Sequence, residues 1–154
     1  MDFGRFWRGR RVLGDGKTWR GFIGGASAGI IIGLLQLLIS EPFSSDHFGF
    51  GSVSSALPII FALSFGSLLG DVCGAFIKRQ AGLERGQKAP FLDQYDFVLG
   101  ALLLAFLVNT DWIIEKMISG NAWIGFIVFL LLVLGIHRGV NIIGYKMGKK
   151  DVPW

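Results

Sequence analysis

Cysteine, histidine and charge are all scarce in this 154-residue sequence. The single cysteine, Cys73, excludes an internal disulfide and any cysteine-based zinc site. The two histidines, His47 and His137, lie far apart in the sequence, which argues against a histidine-based metal site. Only 17% of the residues are charged, well below the share typical of a soluble domain, so the composition disfavours a soluble globular protein.

Apolar residues make up 52% of the chain, and they are gathered into long stretches. Four stretches are long enough to cross a bilayer, near 21–40, 54–77, 96–110 and 121–145, although the third is short. Glycine and tryptophan are also abundant, with 23 and 5 residues, as is typical of membrane helices and their interfaces. The sequence therefore predicts an all-α, polytopic integral membrane helical bundle forming one membrane domain over 1–154.

The number of lysines and arginines alternates between high and low in the successive segments that flank these stretches. Six lie in residues 1–20, none in 41–53, four in 78–95, one in 111–120 and four from 138 onward. This pattern obeys the positive-inside rule for a multi-pass protein of the cell membrane. It predicts that both termini and the 78–95 loop face the cytoplasm, where the cytoplasmic loops would form a polar site.

One acid lies inside the second apolar stretch. A charge near the middle of a membrane costs about 2.5–3.5 kcal/mol on insertion scales, so Asp71 is a functional candidate by default. Ser67, Asp71, Gly74 and Lys78 share one face of a helix, and we expect that face to point into the bundle. The alternative is a purely structural ion pair of Asp71 with Lys78 or Arg79.

Two further acids, Asp93 and Asp96, are three residues apart at the start of the third stretch. On a helix they lie on one face, where two carboxylates can share a hard cation through oxygen. A plain capping role at a helix N-terminus is the alternative. We expect both acids to meet Asp71 around one or two Mg²⁺ ions.

Two basic, glycine-containing segments, Gly14 to Gly21 and the loop within 78–95, lie on the same predicted side of the membrane. The first, Gly14 to Gly21, ends like a Walker A loop, but Arg11 stands where that motif needs a glycine and no strand precedes it. A nucleotide-binding P-loop of that class is therefore excluded, while backbone amides at a helix start still form an anion site. The residues expected to bind phosphate are Asp15, Gly16, Lys17, Thr18, Lys78, Arg79 and Lys88.

Several of these residues together resemble a known family. They are Gly70-Asp71, Lys78-Arg79, Gly82, Gly86, Lys88, Pro90 and the run Leu92-Asp93-Gln94-Tyr95-Asp96-Phe97. This pattern is similar to the signature of the CDP-diglyceride synthetases, and most similar to their short archaeal branch, the CDP-archaeol synthases. The run from Gly14 to Gly21 also resembles that branch.

The resemblance implies a CTP-dependent cytidylyltransferase of phospholipid biosynthesis. Its members transfer CMP from CTP to an unsaturated archaeal ether lipid phosphate, a bis-O-geranylgeranyl glycerol phosphate, with Mg²⁺ as cofactor and pyrophosphate as product. The catalytic residues would be Asp71, Lys78, Arg79, Asp93 and Asp96, and the metal ligands Asp71, Asp93 and Asp96. The expected partners are CTP, the isoprenoid lipid phosphate and the bilayer, with no nucleic acid and with a homodimer left open.

Two departures from the family pattern stand out. Bacterial members carry a His-Gly-Gly element just before the acid pair, whereas Ala89-Pro90-Phe91-Leu92 stands there in this chain, which favours the archaeal branch. Archaeal members usually have another apolar helix before the first basic loop. Either the start of this chain is truncated or this member lacks that helix.

Three alternative functions remain at this point. A CTP-dependent polyprenol or lipid kinase would transfer the γ-phosphate instead of CMP. A CDP-alcohol phosphotransferase needs a DG-x-x-AR motif, which the sequence lacks. A small transporter or channel subunit would carry charges deep in several spans, whereas here they cluster on one side.

Overall fold

The computed structural model describes residues 1–40, 50, 52–84, 87–89 and 91–149. Helices dominate this part of the chain, so the all-α prediction is confirmed. A small hairpin, which the sequence analysis did not anticipate, precedes the first helix. The elements are β1 (Phe6–Trp7), β2 (Arg10–Arg11), α1 (Trp19–Ser40), α2 (Val53–Gln80), α3 (Leu92–Val108), α4 (Thr110–Met117) and α5 (Ala122–Lys146).

Among the helices of the described residues, α1, α2 and α5 are long and apolar enough to cross a membrane. They display large apolar side chains outward, such as Leu38, which is 69% exposed on α1, and Leu131, which is 62% exposed on α5. Exposed apolar surface on this scale would be unfavourable in water and is stable in lipid. The third predicted span forms α3, a helix of 17 residues.

Helix α2 lies between α1 and α3, and small residues let the three backbones approach closely. Gly25, Gly29 and Gly33 on α1 lie against Leu68, Ser64 and Ile60 of α2, in descending order, so these two helices are antiparallel. On the opposite side of α2, Gly66 and Gly70 face Gly100 of α3. Close approach of this kind is a main source of helix association in lipid.

A short amphipathic helix follows α3. Asn109 ends α3, and its side-chain oxygen accepts a hydrogen bond of 3.0 Å from the amide of Trp112, which caps α4. Ile113 of α4 is buried against Ala62 and Ala105, closing this end of the bundle. The prediction of a connecting loop over 111–120 was therefore wrong for the residues of α4.

The antiparallel order of α1 and α2 brings two chain segments to one end of the bundle. The first is residues 1–18, and the second is the last turns of α2 with the start of α3. In the first segment, Arg8 and Gly9 both adopt positive φ, of 51° and 76°, and form the two-residue turn that joins β1 to β2. The hairpin folds back so that β2 contacts α2.

Candidate functional site

Asp2 anchors the first basic loop. Its carboxylate is 5% exposed and accepts hydrogen bonds from the amides of Leu13 and Gly14, at 3.0 and 3.2 Å, and from the Arg11 guanidinium at 3.4 Å. These donors, with the Leu13 amide foremost, hold the pKa of Asp2 well below its ordinary value. An ionised Asp2 therefore fixes the start of the loop, a role that the sequence analysis missed.

The hairpin is fastened to the end of α2 through Gln80. The Arg10 guanidinium donates to the Gln80 carbonyl, and the Gln80 side chain donates to the Arg11 carbonyl at 3.4 Å. Arg11 also forms an ion pair of 2.7 Å with Asp15, four residues further along the chain. The chain between β2 and α1 is thus held against α2.

Two arginines contact glycines across the cleft between the N-terminal segment and the end of α2. Arg79 lies over Gly14, and Arg10 lies over Gly82. Gly14, with φ +83°, lies against Arg79, so that a Cβ there would sit 3.2 Å from Nε. Gly82, with φ +84°, lies against Arg10, where a Cβ would sit 3.4 Å from the nearest guanidinium nitrogen. Only glycine adopts such φ values readily and leaves room for a guanidinium.

Between these loops lies a cavity of about 640 Å³. Its charged lining consists of five cations and two acids, namely Arg10, Arg11, Lys17, Lys78, Arg79, Asp15 and Glu84. The volume is in the range of about 300–1,000 Å³ found for small-molecule sites. A cavity with this excess of positive charge suits a polyphosphate.

Two ion pairs join the basic loop and α3 to α2. Lys17 Nζ lies 2.5 Å from Asp71 Oδ2, and Lys78 Nζ lies 2.7 Å from Asp93 Oδ1. The second oxygen of Asp93 accepts from the Ala89 amide at 2.7 Å, which shapes the approach to α3. Asp71 therefore pairs with a residue 54 positions away, and not with Lys78 or Arg79.

Asp96 is the most buried of the three predicted magnesium ligands, at 7% exposure. Its Oδ1 accepts from the Phe97 amide at 2.7 Å, and its carboxylate faces Gly74 of α2. Gly74 lies between Asp71 and Lys78 on one helix face. The three acids are therefore arranged along that face, with Asp96 in the middle.

A second, smaller cavity of about 180 Å³ lies on the other side of Lys17, between α1 and α2. Gly16, Lys17, Thr18 and Asp71 supply its polar lining, whereas Phe22, Leu68 and Val72 supply an apolar wall. Thr18 also caps α1, because its hydroxyl accepts from the Gly21 amide at 3.0 Å. Lys17 thus borders both cavities.

Comparison with known proteins identifies the family. A family model described as "CarS-like: CDP-archaeol synthase" matches residues 1–154. The chain belongs to the CDP-archaeol synthase family. Among curated members, the CDP-archaeol synthase of Thermococcus kodakarensis is 47% identical, and the match covers 100% of this chain and 81% of that protein. The CDP-archaeol synthase of Picrophilus torridus is 44% identical, with 100% and 83% covered.

A solved structure of the same kind supports the fold. It is described as an intramembrane enzyme for archaeal membrane lipids biosynthesis and is 34% identical to this chain. The match has a TM-score of 0.70 and covers 92% of this chain and 77% of the solved one. Family and fold therefore agree, and the chain is a multi-pass membrane protein.

The structure gathers most of the predicted phosphate-binding residues of this family member at one end. Asp15, Gly16, Lys17, Lys78 and Arg79 line the larger cavity. Thr18 lines the smaller one, and Lys88 is exposed outside both linings. Arg85, Gly86 and Pro90 lie outside the described residues.

The structure adds two cations to the predicted set. Arg10 and Arg11 were not among the residues predicted to bind phosphate, because they lie before the two motifs in the sequence. Arg10 and Arg11 instead line the cavity, since the turn at Arg8 and Gly9 folds β2 back onto α2. Gly9, as a turn-forming residue between two short segments, was the sequence signal that could have predicted the position of these arginines.

The predicted magnesium ligands are of a residue type that binds this ion. Asp71, Asp93 and Asp96 offer carboxylate oxygens, the donors that Mg²⁺ prefers. Within the part of the chain that the structure describes, no three acidic, histidine or cysteine side chains lie close enough together to hold one ion. Two of the three acids are paired with lysines instead, so the shared magnesium site stays a prediction.

Proposed function

We propose that this chain transfers CMP from CTP to the phosphate of an unsaturated archaeal ether lipid and releases pyrophosphate. The observation that carries this proposal is the basic cavity beside a row of three acids, at the end of a membrane bundle. Membership of the CDP-archaeol synthase family supports this type of reaction and this class of substrate.

We assign CTP to the larger cavity. Arg10 and Arg79 lie on opposing walls, and both are held at backbone carbonyls, of Gln80 and Leu83 respectively. A guanidinium has five donor hydrogens, so each arginine can still bind phosphate oxygens while it is held in place. Lys17 and Lys78 lie deeper, beside the acids, where the α-phosphate would be attacked.

We assign the acceptor phosphate to the smaller cavity between α1 and α2. Its polar groups, from Lys17, Thr18 and Asp71, suit a phosphate, and its apolar wall adjoins the lipid-facing side of the bundle. An isoprenoid lipid could then enter sideways from the bilayer. Lys17, which borders both cavities, would bring the two phosphates together.

The reaction needs no general base, because a lipid phosphate is already an anion at neutral pH. One of its oxygens attacks the α-phosphorus of CTP, the bond from that phosphorus to the bridging oxygen breaks, and pyrophosphate leaves with the electron pair. The main obstacle is repulsion between two anions. Lysine and arginine side chains reduce it by fixing both phosphates and neutralising their charge.

Magnesium is part of this proposal. When bound, it would offset the negative charge of the phosphates and the charge that develops on the leaving pyrophosphate. Asp71, Asp93 and Asp96 are the residues that would hold it, because they are the acids nearest to the cationic cavity and their oxygens match its preference.

We also propose that the site faces the cytoplasm of the cell membrane. The alternation of lysine and arginine along the sequence supports this orientation, and CTP is made in the cytoplasm. A homodimer remains a prediction from the family resemblance.

One assay tests the proposed function. Purified protein is given the lipid phosphate, Mg²⁺ and CTP labelled at either the α- or the γ-phosphate. The α-label is expected in the lipid product and the γ-label in pyrophosphate. Transfer of the γ-label to the lipid would instead identify a CTP-dependent kinase and overturn the proposal.

A further inference from the structure

Two of the ion pairs in the site each join a cation proposed for phosphate to an acid proposed for magnesium. Lys17 is paired with Asp71, and Lys78 with Asp93, at 2.5 and 2.7 Å. All four side chains are partly shielded from solvent, with exposures between 19% and 42%. An ion pair in such surroundings is screened less than one on an open surface.

The two pairs also offset negative charge along the row of acids. Asp71, Asp93 and the buried Asp96 lie along one face of α2 and α3, where three unpaired carboxylates would repel one another. The lysines supply the opposite charge at the two ends of this row. The same contacts occupy carboxylate oxygens that a metal would need and ammonium groups that a phosphate would need.

We propose that these two ion pairs exchange partners when the substrates bind. In the exchange, Lys17 and Lys78 move from the carboxylates to phosphate oxygens, while Asp71 and Asp93 turn to the divalent cation. This inference rests on the proposed function, because it takes CTP and a divalent cation as the ligands. It follows that each ligand releases the residues that bind the other, so their binding is mutually reinforcing.

Binding of each ligand alone gives a direct test. The affinity for Mn²⁺ without nucleotide is measured by the electron paramagnetic resonance of the free ion. The affinity for CTP in the presence of EDTA is measured by equilibrium dialysis. Lys17→Met should bind Mn²⁺ about three- to fivefold more tightly than the wild-type protein, because a competing ion pair of this size has been removed, and CTP more weakly.

The reciprocal variant should show the reverse. Asp71→Asn is expected to bind metal-free CTP about three- to fivefold more tightly, because Lys17 is released, and to bind Mn²⁺ more weakly. Size-exclusion profiles and thermal unfolding establish that both variants are folded. A purely structural ion pair would instead lower both affinities in both variants.

Arg79→Met is the matched control for charge. Arg79 lines the same cavity but is held at the Leu83 carbonyl, not at an acid of the metal set. Its loss should weaken CTP binding and leave Mn²⁺ binding at the wild-type level. If Lys17→Met binds Mn²⁺ no better than Arg79→Met does, the exchange is overturned.

The outcomes separate this inference from the proposed function. A wild-type protein that binds neither CTP nor Mn²⁺ would remove the proposed function, and the inference with it. A wild-type protein that binds both, with Lys17→Met unchanged toward Mn²⁺, would overturn the exchange alone.

Discussion

Gly74 of α2 and Asp96 of α3 fit together so closely that a Cβ on Gly74 would overlap the Asp96 carboxylate. The absence of a side chain at Gly74 makes the space in which this acid is buried. The glycine therefore positions a residue of the proposed magnesium site, besides allowing two helices to approach.

Gly74→Ala should lower turnover about a hundredfold, because a displacement of about 1 Å in a reacting group has effects of that size. The added methyl group must push Asp96 or α3 away. Initial rates with CTP and lipid phosphate measure the effect. Gly135→Ala is the control, since a Cβ at Gly135 meets nothing within 4 Å, and it should keep the wild-type rate. Equal rates in the two variants would contradict the positioning role.

Replacement of any of the three acids by asparagine should abolish turnover while the protein remains folded. Asparagine keeps the size of the side chain and removes the negative charge that a divalent cation needs. Rates are measured for Asp71→Asn, Asp93→Asn and Asp96→Asn, with size-exclusion chromatography to check the fold. A wild-type rate in Asp93→Asn or Asp96→Asn would rule out the proposed metal site.

The helices were largely predictable from the sequence, because long apolar stretches have few alternatives in lipid. The predicted stretch 54–77 forms α2, Val53–Gln80, and 121–145 forms α5, Ala122–Lys146. The prediction for the end of α3 was less accurate, since the apolar stretch was expected to reach residue 110, whereas the helix ends at Val108. Asn109 ends it earlier by capping α4, whose mixed polar and apolar residues do not resemble a span.

The sequence predicted which types of residue form the site, but not which of these residues pair with one another. Unusual charges in an apolar chain pointed to Asp71, Asp93, Asp96 and Lys17. The pairing of Lys17 with Asp71 spans 54 residues, so no local pattern could reveal it. Distance along the sequence likewise misplaced Arg10, because a hairpin turn brings it to the cavity.

The position of Arg10 gives a prediction that differs from one based on the sequence alone. Arg10→Ala should raise the KM for CTP by about tenfold or more, as Arg79→Ala and Lys17→Ala should, because each removes a charged donor from the cavity. Steady-state kinetics at saturating lipid phosphate measure this. Arg8→Ala, at the hairpin turn outside the cavity lining, should keep the wild-type KM. Loss of CTP binding in Arg8→Ala but not in Arg10→Ala would show that the cavity is misassigned.

We expect Asp2 to support CTP binding by holding the first basic loop in place. Its pKa is lowered from 3.8 on folding, so its stabilising contribution is complete above that pH and is lost as the pH falls through the lower, folded value. Between about pH 5 and pH 8 the anchoring should therefore not vary. Asp2→Asn should speed hydrogen exchange at the Leu13 and Gly14 amides at any pH in this range and raise the KM for CTP. Unchanged exchange at both amides would show that the loop is held by other contacts.

The orientation of the bundle can be tested by cysteine labelling in oriented vesicles. On a Cys73→Ser background, Ser45→Cys should react with an impermeant reagent from outside, and Gln87→Cys only from inside. The basis is charge: residues 41–53 carry no lysine or arginine, whereas 78–95 carry four. The basic cavity and the acids lie at the same end as Gln87, so this label also reports where CTP must arrive. Labelling of Gln87→Cys from outside would place the cavity away from the cytoplasm and contradict the orientation on which the supply of CTP depends.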